Sequence, residues 1–219
     1  MTDPELVDRI AGRLGVLRDR IARAGGEGVT IVGVTKRHPV EVLRAAMAAG
    51  IGELGENYAQ ELAAKAAELD VRPRFHFIGQ LQTNKVRIVA PVADVIQTVD
   101  RSSLVAALAR RAPGATVMIQ VDLAGIEGRG GCTWEEAPAL VDEAAAAGLS
   151  VAGLMGVAIA AATGEDRVVV RRSFERLRAM RDELGLAEVS MGMSDDLDEA
   201  VAAGSTMVRI GSALFGPRT

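Results

Sequence analysis

Cysteine is almost missing from this chain: there is one, Cys132. No internal disulfide framework is possible, and neither is a metal site built from thiolates. That usage suits a reducing compartment and predicts a cytoplasmic protein. No base stands near Cys132 in the sequence, so it is read as inert. Aromatic residues are scarce at 3%, and the core must be assembled from Ala, Val, Leu, Ile and Met. No run of about 18 apolar residues offers a membrane span. The opening Met1-Thr2-Asp3-Pro4-Glu5 is acidic and polar, the wrong order for a secretion signal. Positive excess is missing too. With 25 Lys and Arg against 29 Asp and Glu, the formal net charge is −4, which argues against nucleic-acid binding, since that requires a basic field. Arg110-Arg111 and Arg171-Arg172 then read as solvated helix faces. Walker A and His-Glu-x-x-His patterns are absent. The glycine-rich 125–131 segment has the wrong spacing for a dinucleotide fingerprint, and is expected to be a mobile loop.

What is present is a regular alternation over 219 residues. Thr2 or Asp3 can cap a first helix with Pro4 in its first turn. Leu6, Ile10, Leu14, Leu17 and Ile21 mark its buried face, and Gly25-Gly26 stop it. Such a helix could cover the bottom of a barrel. Apolar runs then predict strands over 29–34, 51–54, 75–78, 95–99, 115–121, 151–155, 188–190 and 206–210. Helical segments separate them over 39–49, 57–69, 84–89, 102–111, 133–147, 165–184 and 195–203, with Ser102 or Ser103 and Thr133 as caps. Alternating strands and helices imply a parallel sheet with right-handed crossovers. Eight such steps without a break in composition predict one domain over residues 1–219: a (β/α)8 TIM-type barrel with an extra N-terminal helix. An open doubly wound sheet is the alternative.

A barrel of this kind carries its site at the C-terminal ends of its strands. The polar residues there are Lys36, then Glu53, Glu56 and Asn57, then His76 and Gln80, Asp122, Ser190, Ser194 and Arg209, with Gly211 and Ser212 beyond. Lys36 follows the almost uncharged Ile31-Val32-Gly33-Val34-Thr35. Desolvation there favours a neutral amine able to attack an aldehyde. A lysine snorkelling out of the barrel mouth fits the position equally well. Ser190-Met191-Gly192-Met193-Ser194 leads into a helix, and Gly211-Ser212 follows the last strand. Together these loops match the usual phosphate site of such barrels, although plain capping by Ser194 would look the same locally. Arg209 lies inside an apolar strand and needs an acceptor, either a ring nitrogen of a ligand or an internal carboxylate. His76, in Phe75-His76-Phe77, faces either the barrel interior or the helices. His38 sits in a loop before Pro39.

Several long motifs fall in a familiar order: Val32-Gly33-Val34-Thr35-Lys36, Gly55-Glu56-Asn57-Tyr58-Ala59-Gln60-Glu61, Phe75-His76-Phe77-Ile78-Gly79 with Leu81-Gln82-Thr83-Asn84-Lys85, Met191-Gly192-Met193-Ser194-Asp195-Asp196, and the stretch from Ala203 to Gly211. Over nearly its whole length the chain resembles the pyridoxal phosphate homeostasis protein family, whose members look like the N-terminal barrel of alanine racemase standing alone. The resemblance implies pyridoxal 5′-phosphate (PLP) as cofactor, held by a Schiff base on Lys36. It implies that Ser194, Gly211 and Ser212 hold the phosphate, that Arg209 faces the pyridine nitrogen, and that Asn57 and His76 line the site. The segment Gly156 to Ile159 and the Lys36-Arg37-His38 stretch depart from the commoner family versions. The expected partners are PLP itself, free amino acids and apo PLP-dependent enzymes, with no nucleic acid or membrane, and the expected state is a monomer without catalytic turnover. A racemase needs a base on each face of the cofactor. The resemblance implies that alanine racemase takes the second base, a tyrosine, from a further domain; here the single tyrosine is Tyr58. A phosphosugar or aldehyde enzyme using Lys36 as an aldolase-type base is a third reading.

Overall fold

A computed structural model describes residues 2–125, 130–159 and 164–216 of the chain. Eight strands run in sequence order around a closed barrel. They are β1 (Thr30–Val34), β2 (Glu53–Glu56), β3 (Arg74–Phe77), β4 (Val95–Val99), β5 (Thr116–Asp122), β6 (Ser150–Val157), β7 (Glu188–Ser190) and β8 (Met207–Ile210). Every pairing is parallel, and β8 returns to β1 with Thr30 opposite Met207 and Gly33 opposite Ile210. Closure leaves no edge strand, so the expected barrel is formed and the open sheet is excluded. Around it lie α1 (Pro4–Arg23), α2 (Val40–Ala48), α3 (Ala59–Ala67), α4 (Val86–Val89) after a 3-10 turn at Thr83–Lys85, α5 (Ser102–Arg111), α6 (Ala137–Ala146), α7 (Gly164–Glu183), α8 (Leu197–Ala202) and α9 (Ser212–Phe215).

Strand alternation divides the core in two. Outward residues such as Leu54, Phe75, Phe77, Ile96, Ile119 and Val208 pack under the helices. Inward, Val95, Met118 and Met155 form a small separate apolar cluster, shared with buried His76, Gln97, Ser190 and Arg209. With few aromatics, aliphatic side chains fill nearly all of the outer layer, and Phe174 on α7 is its third buried phenylalanine.

The N-terminal helix forms as its caps predict: Asp3 accepts from the Glu5 N–H, and Pro4 starts the first turn. Its position differs from the expectation. It does not lie across the bottom of the barrel but packs beside α2, α8 and α9 in the outer ring. Its buried Ile10, Leu14, Leu17 and Ile21 join the outer core. The helices after β7 and β8 are short, and α1 fills the place a full eighth helix would take.

Other boundaries also moved. Thr133 closes a capping box with Glu136 ahead of α6, but neither Ser102 nor Ser103 caps α5, and Ser102 Oγ instead donates to Glu143. The second strand is Glu53–Glu56 rather than 51–54. Glu53 therefore enters β2 at the lower rim instead of following it at the top. Both glutamates are tolerated in the sheet because cationic or donor side chains meet them, Arg74 and His76 at Glu53 and Lys65 at Glu56. Of the glycine-rich segment after β5, residues 126–129 lie outside the described residues. No described helix is long and apolar enough to cross a membrane.

Candidate functional site

A cleft of about 330 Å³ opens at the C-terminal mouth of the barrel, and six of the seven residues singled out for a ligand line it: Lys36, Asn57, Ser194, Arg209, Gly211 and Ser212. Val34, Ile78, Met155 and Val157 supply an apolar wall. A second cavity of about 450 Å³ lies at the opposite end, between α1 and the segments entering β1 and β2. It contains none of these residues.

Lys36 stands two residues past β1 on a turn that is held from outside the barrel. Thr35 is buried, and its hydroxyl donates to Glu56 Oε1 at 2.6 Å. Lys65 on α3 reaches the same turn. Its ammonium donates to the Thr35 carbonyl at 2.7 Å, to Glu56 Oε1 at 2.6 Å and to Glu61 Oε1 at 2.6 Å. Glu61 also accepts the Arg37 N–H at 2.5 Å. Arg37 has φ 61°, the only positive φ of a non-glycine among the described residues, at a cost of about 1–2 kcal/mol. The network over-determines that conformation and so fixes the direction of the neighbouring Lys36. Burial pushes the Glu56 carboxyl above its ordinary value, outweighing the downward pull of Lys65 and Thr35.

Asn57 follows β2 and meets the loop after β3 at very short range. A Cβ on Gly79 would lie 2.0 Å from the Asn57 carbonyl oxygen, so only glycine allows the two loops to touch. Gly79→Ala is expected to lower the denaturation midpoint by the equivalent of about 1–3 kcal/mol, with an unchanged denaturant slope. An unaltered midpoint would show that the contact gives way freely. Asn57 Oδ1 is buried with no hydrogen-bond partner among the described residues, an acceptor that a ligand in the cleft could engage.

On the opposite wall, Arg209 is 4% exposed. It donates to the Ser190 carbonyl at 2.8 Å, to Ser190 Oγ at 2.6 Å and to the Gly156 carbonyl at 2.7 Å. These partners are neutral. Burial pulls the guanidinium down to about 10, while the field of Asp196 works the other way; it remains charged at neutral pH. Burial likewise raises Asp196, whose carboxylate accepts the Met193 N–H at 2.5 Å and shapes the turn after β7. α8 begins only at Leu197 and has no side-chain cap. Ser194 therefore lines the cleft instead of capping that helix. Arg20 of α1 donates to the Ser194 carbonyl at 3.1 Å and pairs with Asp198, tying the turn to the outer ring. Asp195 also borders the cleft, so an anion held there would meet its charge as well as that of Arg209.

His76 is the candidate that does not reach the cleft. It is fully buried in the barrel interior, with Nε2 2.6 Å from Glu53 Oε2 and Nδ1 2.8 Å from Gln97 Nε2. Glu53 lies with it at the lower rim, and Gln80 is exposed. Asp122 is occupied in its own turn, accepting from the N–H groups of Ala124 and Gly125. His38 packs near the Phe215 ring. Cys132 is buried, and its thiol is pushed up to about 12, chiefly by burial, in keeping with an inert residue. Three residues that matter to the geometry escaped sequence reading. Glu61 and Lys65 were legible as an i,i+4 pair on α3. Gln97 was legible as a polar residue inside the apolar strand Val95–Val99.

The profile described as "Alanine racemase, N-terminal domain" matches residues 7–219. The pyridoxal phosphate homeostasis protein of Pseudomonas aeruginosa is 38% identical over 227 residues, covering 99% of this chain and 96% of that protein. Among solved structures, PipY of Synechococcus elongatus PCC7942 with PLP bound superposes with a TM-score of 0.84 at 33% identity, covering 94% of this chain and 100% of that one. Alanine racemase from Corynebacterium glutamicum has a TM-score of 0.78 at 19% identity, covering 96% of this chain and 62% of that one, and shares the fold alone.

Proposed function

The chain belongs to the pyridoxal phosphate homeostasis protein family, and from that premise we propose that it binds PLP, holds it as a Schiff base on Lys36 and serves PLP storage and transfer in the cytoplasm. The observation that carries this reading is the convergence in one cleft of a lysine amine, two loops suited to an anion and a buried arginine with neutral partners. The residues fit the group. Lys36 would supply the amine for its aldehyde, Ser194, Gly211 and Ser212 would hold its phosphate, and Asn57 would offer its unpaired buried oxygen. Arg209 would serve the ring nitrogen as a hydrogen-bond donor.

That arrangement suits a carrier. A permanently charged donor at the ring nitrogen disfavours its protonation and so weakens the ring as an electron sink. Tyr58, the single tyrosine, stands 45% exposed on the rim, its hydroxyl accepting from Arg37 at 3.3 Å, and does not line the cleft. It is therefore not placed as the second base of a racemase. Release would go to a competing amine, of a free amino acid or of an apo-enzyme's lysine, with Lys36 returned as the free amine. The whole chain acts as one cofactor-holding barrel and works as a monomer.

The test is the visible spectrum of the purified protein with PLP. An imine band is expected, with borohydride abolishing it and leaving a reduced adduct that mass spectrometry places on Lys36. Protein that stays colourless at excess PLP would sink the reading and return the cleft to a ligand of another kind.

A further inference from the structure

Beneath the cleft, one unbroken line of hydrogen bonds crosses the barrel interior. Arg209 Nη1 reaches Ser190 Oγ at 2.6 Å, Ser190 Oγ reaches Gln97 Oε1 at 2.7 Å, Gln97 Nε2 reaches His76 Nδ1 at 2.8 Å, and His76 Nε2 reaches Glu53 Oε2 at 2.6 Å. The five residues come from five strands. Ser190, Gln97 and His76 are fully buried, while the Glu53 side chain is 24% exposed at the lower rim beside Arg74.

The two ends and the orientation of the Gln97 amide, Oε1 toward Ser190 and Nε2 toward His76, together set where the protons lie. A guanidinium only donates and a carboxylate only accepts. The Ser190 proton must then go to Gln97 Oε1, an amide N–H to His76 Nδ1, and the ring proton must sit on Nε2, facing Glu53. The second amide hydrogen of Gln97 is taken up at Met207 Sδ, 3.1 Å away. With the amide in that orientation, all donors point from Arg209 toward Glu53, and the line has room for one ring proton, on Nε2. A second ring proton would set N–H against N–H unless the Gln97 amide turned over, which would reverse the bond to Ser190.

We propose that His76 and Gln97 are positioning residues for Arg209. Through Ser190 they fix how the guanidinium is presented to the cleft, and the same line carries a change at Arg209 down to an imidazole that no ligand in the cleft touches. The ligand arm of the test rests on the PLP reading; the line of bonds itself does not.

Nitrogen-15 spectra of the imidazole rings decide it. The chain has 2 histidines, so His38→Gln assigns the signals. In the ligand-free protein near neutral pH, His76 is expected as a single neutral tautomer with protonated Nε2 and bare Nδ1. A ring protonated at Nδ1 overturns the proposal. Ser190→Ala, which does not touch the ring, is expected to shift its Nδ1 resonance; an unmoved resonance overturns it as well. Gln97→Glu, of nearly equal volume, offers only acceptors and is expected to make the ring doubly protonated, and a ring that stays neutral counts against the line. On adding PLP, with the imine band followed in the same sample, the Nδ1 resonance of the wild type is expected to move, and that movement to vanish in Ser190→Ala. A band that forms without moving His76 overturns the proposal. A band that never forms counts against the PLP reading alone, and the ligand-free spectra still decide this one.

Discussion

Lys36→Ala protein, incubated with PLP and desalted, is expected to emerge colourless, with at least about a hundredfold less retained cofactor than the wild type, or ~2.8 kcal/mol at tenfold per 1.4 kcal/mol. Without its amine the cleft has only hydrogen bonds and one apolar wall to offer, and these exchange freely with solvent on the time of a column. No other lysine can stand in. Lys65 is spent on Thr35, Glu56 and Glu61 on the far side of the turn, and Lys85 lies on the 3-10 turn before α4. Lys36→Arg keeps the charge but cannot form the imine, so it should be colourless too, which separates amine chemistry from simple attraction of an anion. Retention of the band in either variant would move the covalent site elsewhere.

Removing Lys65 is expected to have the largest effect on stability. Its side chain is 8% exposed, and that of Glu56 is fully buried. Lys65→Met leaves a carboxylate inside the protein without its counter-charge, a change that costs about 3–5 kcal/mol, or a fall in Tm of roughly 6–20 °C for a chain of this size. The double variant Lys65→Met with Glu56→Gln should recover part of the loss, because no buried charge is then left alone. The loss should also depend on pH. Glu56 already has its folded pKa raised by burial. Such a group stabilises in its protonated form, fully below the unfolded pKa and progressively less as pH rises through the folded one. Losing Lys65 raises the folded value further, so the deficit is expected to be greatest at pH 8 and to shrink toward pH 5. A deficit independent of pH would mean that Glu56 does not bear the cost.

Much of this was legible in the sequence, and the exceptions share a cause. The strands Val95–Val99 and Glu188–Ser190 lie where the sequence places them, because β-branched or apolar runs ended by Asp, Ser or Gly leave little choice. Lys36, Ser194, Arg209, Gly211 and Ser212 could be placed at the barrel mouth from their position relative to strand ends. β2 could not. Its glutamates look like the end of a strand until their partners are known, and Arg74, His76 and Lys65 come from other elements. His76 was ambiguous because a period of two sets it opposite to Phe75 and Phe77 but does not say which of the two faces is the barrel interior, nor how far along the barrel axis it lies. Its neighbours Gln97 and Ser190 are remote in sequence and meet it only after closure.

The placement of α1 bears on how the molecule comes to be folded. Helix α1 is synthesised long before α8 and α9, yet it fills the gap beside them. Its side-chain bonds span almost the whole chain, from Arg13 to the Leu214 carbonyl, 201 residues away, and from Arg20 to Asp198, 178 residues away. The ends of that loop must be brought together before the contacts return anything. Until α8 and α9 are in place, the apolar stripe Ile10, Leu14, Leu17 and Ile21 has α2 beside it but lacks the surface that completes its burial, so the outer ring closes only when both ends of the barrel are made.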